Sequence, residues 1–302
     1  LKQEFYSNGK LLLTGEYVVL DGATALALPT KYGQSLEISS SRRKEISWKS
    51  LDETNTIWFE ATFKVEEKNI ELITPENSIS HTLLKILQEA KKMNPSFLQK
   101  NDGYIIETKL NFPINWGLGT SSTLINNIAQ WAEINPFQLL KKSFGGSGYD
   151  IAAAQHNYPI LYTTNNKKPQ IRKAGLQWDF TEKLFFVHLN QKQNSKEGIA
   201  LYKKANVEKN KIERITDISN KLLLCYTLKD FESLLTIHEL IISEIINIPT
   251  IKETLFNDYP NVVKSLGAWG GDFILATGDK KDQEYFKKKG FATIISYAEM
   301  IK

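Results

Sequence analysis

Cysteine is nearly absent: Cys225 stands alone among 302 residues. One thiol cannot close an intramolecular disulfide, so packing must hold the fold, and a reducing compartment is expected. Long apolar runs are missing too, and nothing approaches the ~18 residues of a membrane-spanning helix. The first residues, Leu1-Lys2-Gln3-Glu4, are charged and lack the apolar stretch of a signal peptide. These absences lead to the expectation of a cytoplasmic protein. Charge of one sign is not in excess either. Lys and Arg number 38 against 34 Asp and Glu, a net +4, whereas a nucleic-acid binder concentrates basic residues on one face. The runs Lys167-Lys168 and Lys287-Lys288-Lys289 read as solvated surface. His81, His156, His188 and His238 show no metal-ligand spacing, and His238 falls on an apolar helical stripe, as a core residue would. Repeats and low-complexity tracts are also lacking.

What is present suits a folded chain. Apolar residues at 41 % and charged residues at 24 % exclude a disordered or fibrous class. The length exceeds one ordinary hydrophobic core, so two domains or one large one are expected. Strands are predicted around Phe5-Tyr6 and Leu11-Leu12-Leu13, with Asn8-Gly9 as a turn between them. Further strands are predicted over 36–39, 46–48, 56–65, 104–110, 159–163, 184–189, 273–276 and 293–296. Helices are predicted over 81–93 with Ser80 as cap, over 121–133, over 151–154, and over 231–245 with Asp230 as cap. The polar stretch 164–169 reads as a hairpin or linker. Strands and helices mix without strict alternation, which points to an α+β class.

Three segments interrupt this periodicity with glycine and small hydroxyl residues. They are Gly9-Lys10-Leu11-Leu12-Leu13-Thr14-Gly15-Glu16-Tyr17, Pro113-Ile114-Asn115-Trp116-Gly117-Leu118-Gly119-Thr120-Ser121-Ser122, and Gly267-Ala268-Trp269-Gly270-Gly271-Asp272. In the second, glycines bring backbone N–H groups toward a ligand, and a helix N-terminus follows. That combination suits phosphate, and an ordinary capped loop is the competing reading. It is neither a Walker loop nor a dinucleotide fingerprint, since no Gly-x-x-x-x-Gly-Lys-Ser/Thr occurs and no third glycine closes the motif.

In order and wording, these segments resemble the GHMP kinases, the superfamily of galactose, homoserine, mevalonate and phosphomevalonate kinases. Gly9 to Val19 looks like the first motif of the mevalonate and phosphomevalonate branch. Gly117-Leu118-Gly119-Thr120-Ser121-Ser122 looks like the phosphate loop. Ser147-Gly148-Tyr149-Asp150-Ile151-Ala152 is similar to the segment carrying the catalytic aspartate, and Gly267 to Asp272 resembles the third motif. The resemblance implies a two-domain α+β fold: an N-terminal, ribosomal-protein-like α+β domain over 1–165 with the phosphate loop, and a C-terminal, ferredoxin-like α+β domain over 166–302. It implies ATP and Mg²⁺ as cofactors and a small-molecule acceptor, with neither nucleic acid nor membrane as partner, in a monomer or homodimer.

The implied roles follow residue by residue. Asp150 would take or orient the acceptor's proton, the competing reading being a helix-start carboxylate. Lys10 would offset charge on the transferred phosphoryl group. Gly117, Leu118, Gly119, Thr120, Ser121 and Ser122 would hold the nucleotide phosphates, with Ser121 as the Mg²⁺ ligand. Glu16 would lie toward the substrate, or fix the turn. Gly270 and Gly271, and Ser195 in the loop after 189, complete the substrate side, where Lys192 and Lys196 could meet an anion. Departures exist. The stretch where several relatives carry a metal-binding glutamate has none, leaving Glu133 as a remote candidate. Asn115 and Trp269 stand where glycine is common, and Trp269 or Trp116 would border the nucleotide or substrate. Asp272 and the run Asp150-Ile151-Ala152-Ala153-Ala154 favour phosphomevalonate over mevalonate, while Thr120 keeps a sugar acceptor open. A decarboxylase relative and a catalytically degenerate binding protein are the remaining alternatives.

Overall fold

The computed structural model describes residues 2–67, 69–99, 103–165, 168–191, 195–267 and 269–302. Strands and helices are mixed, as the α+β reading requires. Two compact units form. One gathers Tyr32–Ile114 and Gly119–Gln155 with the N-terminal stretch up to Gly9; the other gathers Lys10–Lys31, Asn115–Leu118 and His156–Lys302. Contacts therefore divide the chain differently from the contiguous division at 165/166 expected from sequence.

In the first unit, strands β1 (Lys2–Thr14) and β2 (Ala25–Ser40), both of which continue into the other unit, join β3 (Ile46–Leu51), β4 (Ile57–Val65) and β5 (Ile70–Thr74). Helix α1 (Ser78–Met93) precedes β6 (Tyr104–Leu110). The order is β5-β4-β3-β6-β2, with β1 also paired to β2. Only β3 and β6 run parallel in that order. Alternation builds the face: Phe59, Ala61, Phe63 and Val65 of β4 are buried while Glu60 and Lys64 are exposed. That face packs with α1, α2 (Thr120–Trp131), α3 (Pro136–Ser143) and α4 (Tyr149–Ala154) into a core that includes Trp48, Phe63, Leu87, Ile106, Ile125 and Leu139.

In the second unit, the start of β2 pairs with β7 (Ile160–Asn165), and β7 with β8 (Lys168–Lys173). A separate antiparallel sheet has the order β10-β11-β9-β12, built from β9 (Leu184–His188), β10 (Val263–Ser265), β11 (Phe273–Thr277) and β12 (Ile294–Ser296). Every residue of β9 and β11 is buried, so both faces of these strands are covered. Helices α5 (Ser195–Lys204), α6 (Lys209–Leu222), α7 (Leu228–Ile246), α8 (Ile251–Leu255), α9 (Lys280–Lys288) and α10 (Tyr297–Met300) complete the unit. Among the described residues no helix is long and apolar enough to cross a membrane.

Three local expectations change. Asn8-Gly9 is no turn: β1 runs through it with Ser7 and Asn8 buried, so sheet pairing outweighs the local turn signal. Helix α1 is capped by Asn77, whose carbonyl oxygen accepts from the Ile79 and Ser80 amides at 3.0 Å each, and Ser80 sits at the third helical position as its reciprocal partner. Helix α7 starts at Thr227, whose hydroxyl accepts the Asp230 amide at 3.1 Å; Asp230 lies inside the first turn. Asn77→Ala should lower unfolding stability by about 1 kcal/mol in a urea titration. An unchanged midpoint would mean that the cap is not worth its usual amount here.

Candidate functional site

The second glycine segment makes a short 3-10 turn over Ile114–Trp116 before α2 begins. Gly117 has φ 66° and Gly119 has φ 94°, backbone that side chains resist. Gly119 is the N-cap and brings no side chain to it, so the first-turn amides of α2 receive no capping oxygen from that residue. Free amides at the positive end of a helix dipole fit an anion such as phosphate.

The two units divide this loop between them, after Leu118. Within the second unit, three of the sequence segments meet. The Lys10 amide donates to Leu118 O at 2.9 Å, and Lys10 Nζ donates to Gly117 O at 3.4 Å. Asp272 of the third segment lies so close to Gly117 that an added Cβ would overlap its carboxylate. Asp272 is held by its own backbone, donating to Gln191 O at 3.0 Å and accepting from Leu189 N at 2.8 Å. Trp116 packs edge-on against Phe273 at 5.4 Å between ring centres.

Within the first unit, Ser121 is exposed in the first turn of α2, and Asp150 is half-buried in the first turn of α4, after the left-handed Gly148. Helices α2 and α4 pack together. A buried polar chain fixes them, which the sequence reading missed. Gln155 Nε2 donates to Asn126 Oδ1 at 3.0 Å, and Asn126 Nδ2 donates to Ser7 Oγ at 2.8 Å. Ser7 Oγ donates to Asn127 Oδ1 at 2.6 Å, and Asn127 Nδ2 to Gln34 O at 2.9 Å. Thr123 Oγ1 donates to Gln34 Oε1 at 2.8 Å. Two adjacent asparagines inside a helix, where asparagine has no propensity advantage, were the available signal.

Other expected residues are placed differently. Ser122 is buried and its hydroxyl donates to Gly119 O at 2.7 Å, which spends it inside the loop. Glu133 is exposed beyond the far end of α2. Twelve helical residues separate it from Gly119, roughly 18 Å, which removes it as a metal ligand beside Ser121. Gly270 (φ 77°) and Gly271 lie in the third segment with Gly271 buried. Lys192 and the side chains of Ser195 and Lys196 lie outside the described residues. Lys10 and Asp150 belong to different units. Among the described residues no group of three His, Cys, Asp or Glu side chains could hold a metal. The donors present suit amide contacts to a phosphate rather than a carboxylate-built metal cage.

Glu16 is not in an open site. It is 1 % exposed, with Oε1 2.6 Å from Lys264 Nζ and Oε2 3.2 Å from His238 Nε2. Lys264 also reaches Glu239 Oε2 at 3.1 Å. Burial lifts the Glu16 carboxyl to about 7, against the opposing pull of Lys264. Burial, helped by Lys264, drives His238 well below its ordinary range. Burial opposes the charge on Lys264, but Glu16 and Glu239 outweigh it and hold the amine above its usual value. His238, read from its stripe as an ordinary core residue, is thus a polar anchor.

Trp269 is buried, with its indole N–H donating to Pro249 O at 3.1 Å and its amide to Tyr17 Oη at 3.0 Å. Its ring packs into the second unit's interior, with Lys264 Nζ 6.0 Å from the ring centre. Tyr17 itself takes φ 63° and stacks on Tyr202 at 6.0 Å.

Nearly the whole chain superposes on solved kinases at low identity. Methanococcus jannaschii mevalonate kinase is 18 % identical, with 98 % of this chain and 97 % of that one covered and a TM-score of 0.71. This is the GHMP kinase fold. Streptococcus pneumoniae phosphomevalonate kinase, in complex with phosphomevalonate and AMPPNP, is 17 % identical over 97 % and 99 %, with a TM-score of 0.69. Lactococcus lactis galactokinase, complexed with galactose, is 13 % identical over 98 % and 92 %, with a TM-score of 0.70. No protein-family model and no curated protein matches the sequence.

Gly117→Ala tests the GHMP-fold loop directly. A methyl group would meet the Asp272 carboxylate on backbone at φ 66°, so a melting temperature several degrees lower is expected. Gly145→Ala, at φ 82° with no heavy atom within 4 Å of the added carbon, separates backbone strain from the overlap and should cost less.

Proposed function

We propose that the protein is an ATP-dependent kinase for a small-molecule acceptor. The observation that carries this reading is the glycine loop that opens into the uncapped N-terminus of α2, with Lys10 docked on the Gly117 carbonyl. Phosphoryl transfer needs alignment and charge neutralisation more than covalent chemistry, and this chain offers residues for each need. The amides of Gly119, Thr120 and Ser121 would hold phosphate oxygens, and Gly117 and Leu118 let the backbone approach. Ser121 Oγ would ligate the Mg²⁺ that arrives with ATP and neutralises phosphate charge. Lys10 would offset charge on the transferred group, and Asp150 would accept or orient the acceptor's hydroxyl proton.

For the acceptor we propose phosphomevalonate, with mevalonate next. Asp272 in the third segment and the run after Asp150 support that order, as does the fold shared with kinases solved for both substrates. Thr120 supports a sugar acceptor as the second reading, and a galactokinase is among the proteins with this fold. The burial of the Trp269 indole supports the catalytic reading over a degenerate, binding-only one.

A coupled ADP-release assay with Mg-ATP and a panel of phosphomevalonate, mevalonate and sugars tests the reading. Release is expected with one acceptor, and Asp150→Asn should lower kcat by roughly 10²–10⁴-fold. Absence of ATP binding would overturn the kinase assignment. Mg-ATP should also quench tryptophan fluorescence in wild type and in Trp269→Phe, but much less in Trp116→Phe. Equal quenching in both variants would remove Trp116 from the nucleotide's surroundings.

A further inference from the structure

Four ionisable side chains meet where the first motif leaves β1. Glu16, Lys264 and His238 have no exposed side-chain surface, and Glu239 has 4 %. Two carboxylates and one ammonium leave a charge of −1 in a dry site, which is costly without compensation. Hydrogen bonding raises the same problem independently. The Gly15 amide lies 3.0 Å from His238 Nε2 and can only donate, so Nε2 accepts and the ring hydrogen sits on Nδ1. Glu16 Oε2 faces that same nitrogen at 3.2 Å. An ionised carboxylate there would set lone pair against lone pair.

One proton resolves both. We propose that Glu16 and His238 share a proton, carried on Glu16 Oε2 and directed at His238 Nε2, and that the pair are positioning residues for the first and third glycine segments. Protonated in this way, the cluster is neutral: Lys264 balances Glu239, the Glu16 proton and the Gly15 amide converge on the one Nε2 lone pair, and Nδ1 has no hydrogen-bond partner among the described residues. The cluster reaches both segments. It holds the Gly15-Glu16 turn that ends the strand bearing Lys10. Lys264 Nζ also donates to Ser265 O at 2.5 Å, and the Ser265 amide donates to Glu239 Oε1 at 3.0 Å, fixing the chain that enters 267–272. The groups facing the shared proton are Glu16 and the Tyr17 phenol from the first segment, His238 and Glu239 from α7, and Lys264 from β10. Loss of the proton would leave the buried charge uncompensated and loosen both segments.

The pH signature is specific. With its folded pKa raised from 4.5 to about 7, Glu16 contributes stability that is full below 4.5 and lost as pH rises through about 7. With its folded pKa lowered below 6.5, His238 contributes stability that is full above 6.5 and lost as pH falls. Between 4.5 and 6.5 the folded chain keeps a proton on Glu16 and the unfolded chain keeps one on His238, so the two slopes cancel. Glu16→Gln donates to His238 without a titratable proton and leaves only the histidine slope.

The experiment compares melting temperatures of wild type and Glu16→Gln across pH 4.5 to 8, a range set by these values. The variant should gain on wild type as pH rises through about 7 and lose ground as pH falls below 6.5. Parallel curves would overturn the proposal. Should the variant fail to fold, ¹⁵N histidine spectra of wild type decide, with His238→Gln identifying the resonance. A neutral ring protonated on Nδ1 is expected on both sides of neutral pH; a cationic ring, or one protonated on Nε2, refutes it. The effect on positioning rests on the kinase reading: kcat should fall as pH rises through about 7 in wild type and lose that limb in Glu16→Gln. A dead enzyme with the expected melting behaviour would sink the kinase reading and leave the shared proton intact.

Discussion

A lysine amine with no exposed surface, held between Glu16 and Glu239, is the constraint on which the second unit depends. Burying that amine costs several kcal/mol before any partner is counted. It is tolerable only because three elements deliver oxygen to one point: the end of β1 through Glu16, α7 through Glu239, and β10 through the Ser265 carbonyl. Once there, the arrangement has little freedom. Removing one partner of such a pair typically destabilises by about 3–5 kcal/mol, whereas sliding α7 by one residue would bring Ile237 or Leu240 to one of the two polar positions and the wrong polar group to the other. Apolar packing among Ile241, Ile242 and Ile245 would tolerate such a slide far better. The ions fix register where hydrocarbon alone would not.

The first unit reaches the same end without ions. Ser7, Gln34, Asn126, Asn127 and Gln155 link β1, β2, α2 and the end of α4 through neutral hydrogen bonds. Each bond adds only about 1 kcal/mol net, but each unmade one would strand a buried amide at about 1–3 kcal/mol. The asymmetry makes the chain all-or-none, and it fixes the helices that carry Ser121 and Asp150.

The sequence made some of this legible and hid the rest for physical reasons. Strands such as β4 announced themselves because one face is buried and the other wet, and the apolar stripe of α7 did the same at helical spacing. The glycine segments stood out because left-handed backbone at Gly117 and Gly119 leaves a compositional mark. Cap positions slipped, as at Asn77 and Thr227, because several hydroxyl and amide residues cluster near each helix start and only geometry selects one. Asn8-Gly9 misled because a turn signal is local while sheet pairing is not. The ion cluster was least legible. Glu16, His238, Glu239 and Lys264 are up to 248 residues apart in the chain, and nothing in a lysine's neighbours along the sequence announces that it will lose all its water. His238 carried half the signal, being polar on an apolar stripe, but the stripe cannot say which carboxylate waits opposite.

The placement of Asp272 bears on the balance of charge around Gly117. A carboxylate pressed against Gly117 works against a nearby anion, and Lys10 Nζ, bonded to the Gly117 carbonyl, brings a positive charge to the same residue. At one residue these charges largely offset. Glycine at 117 is what allows the carboxylate to stand that close, since a methyl group there would overlap it, and so the meeting of the two charges follows from the missing side chain.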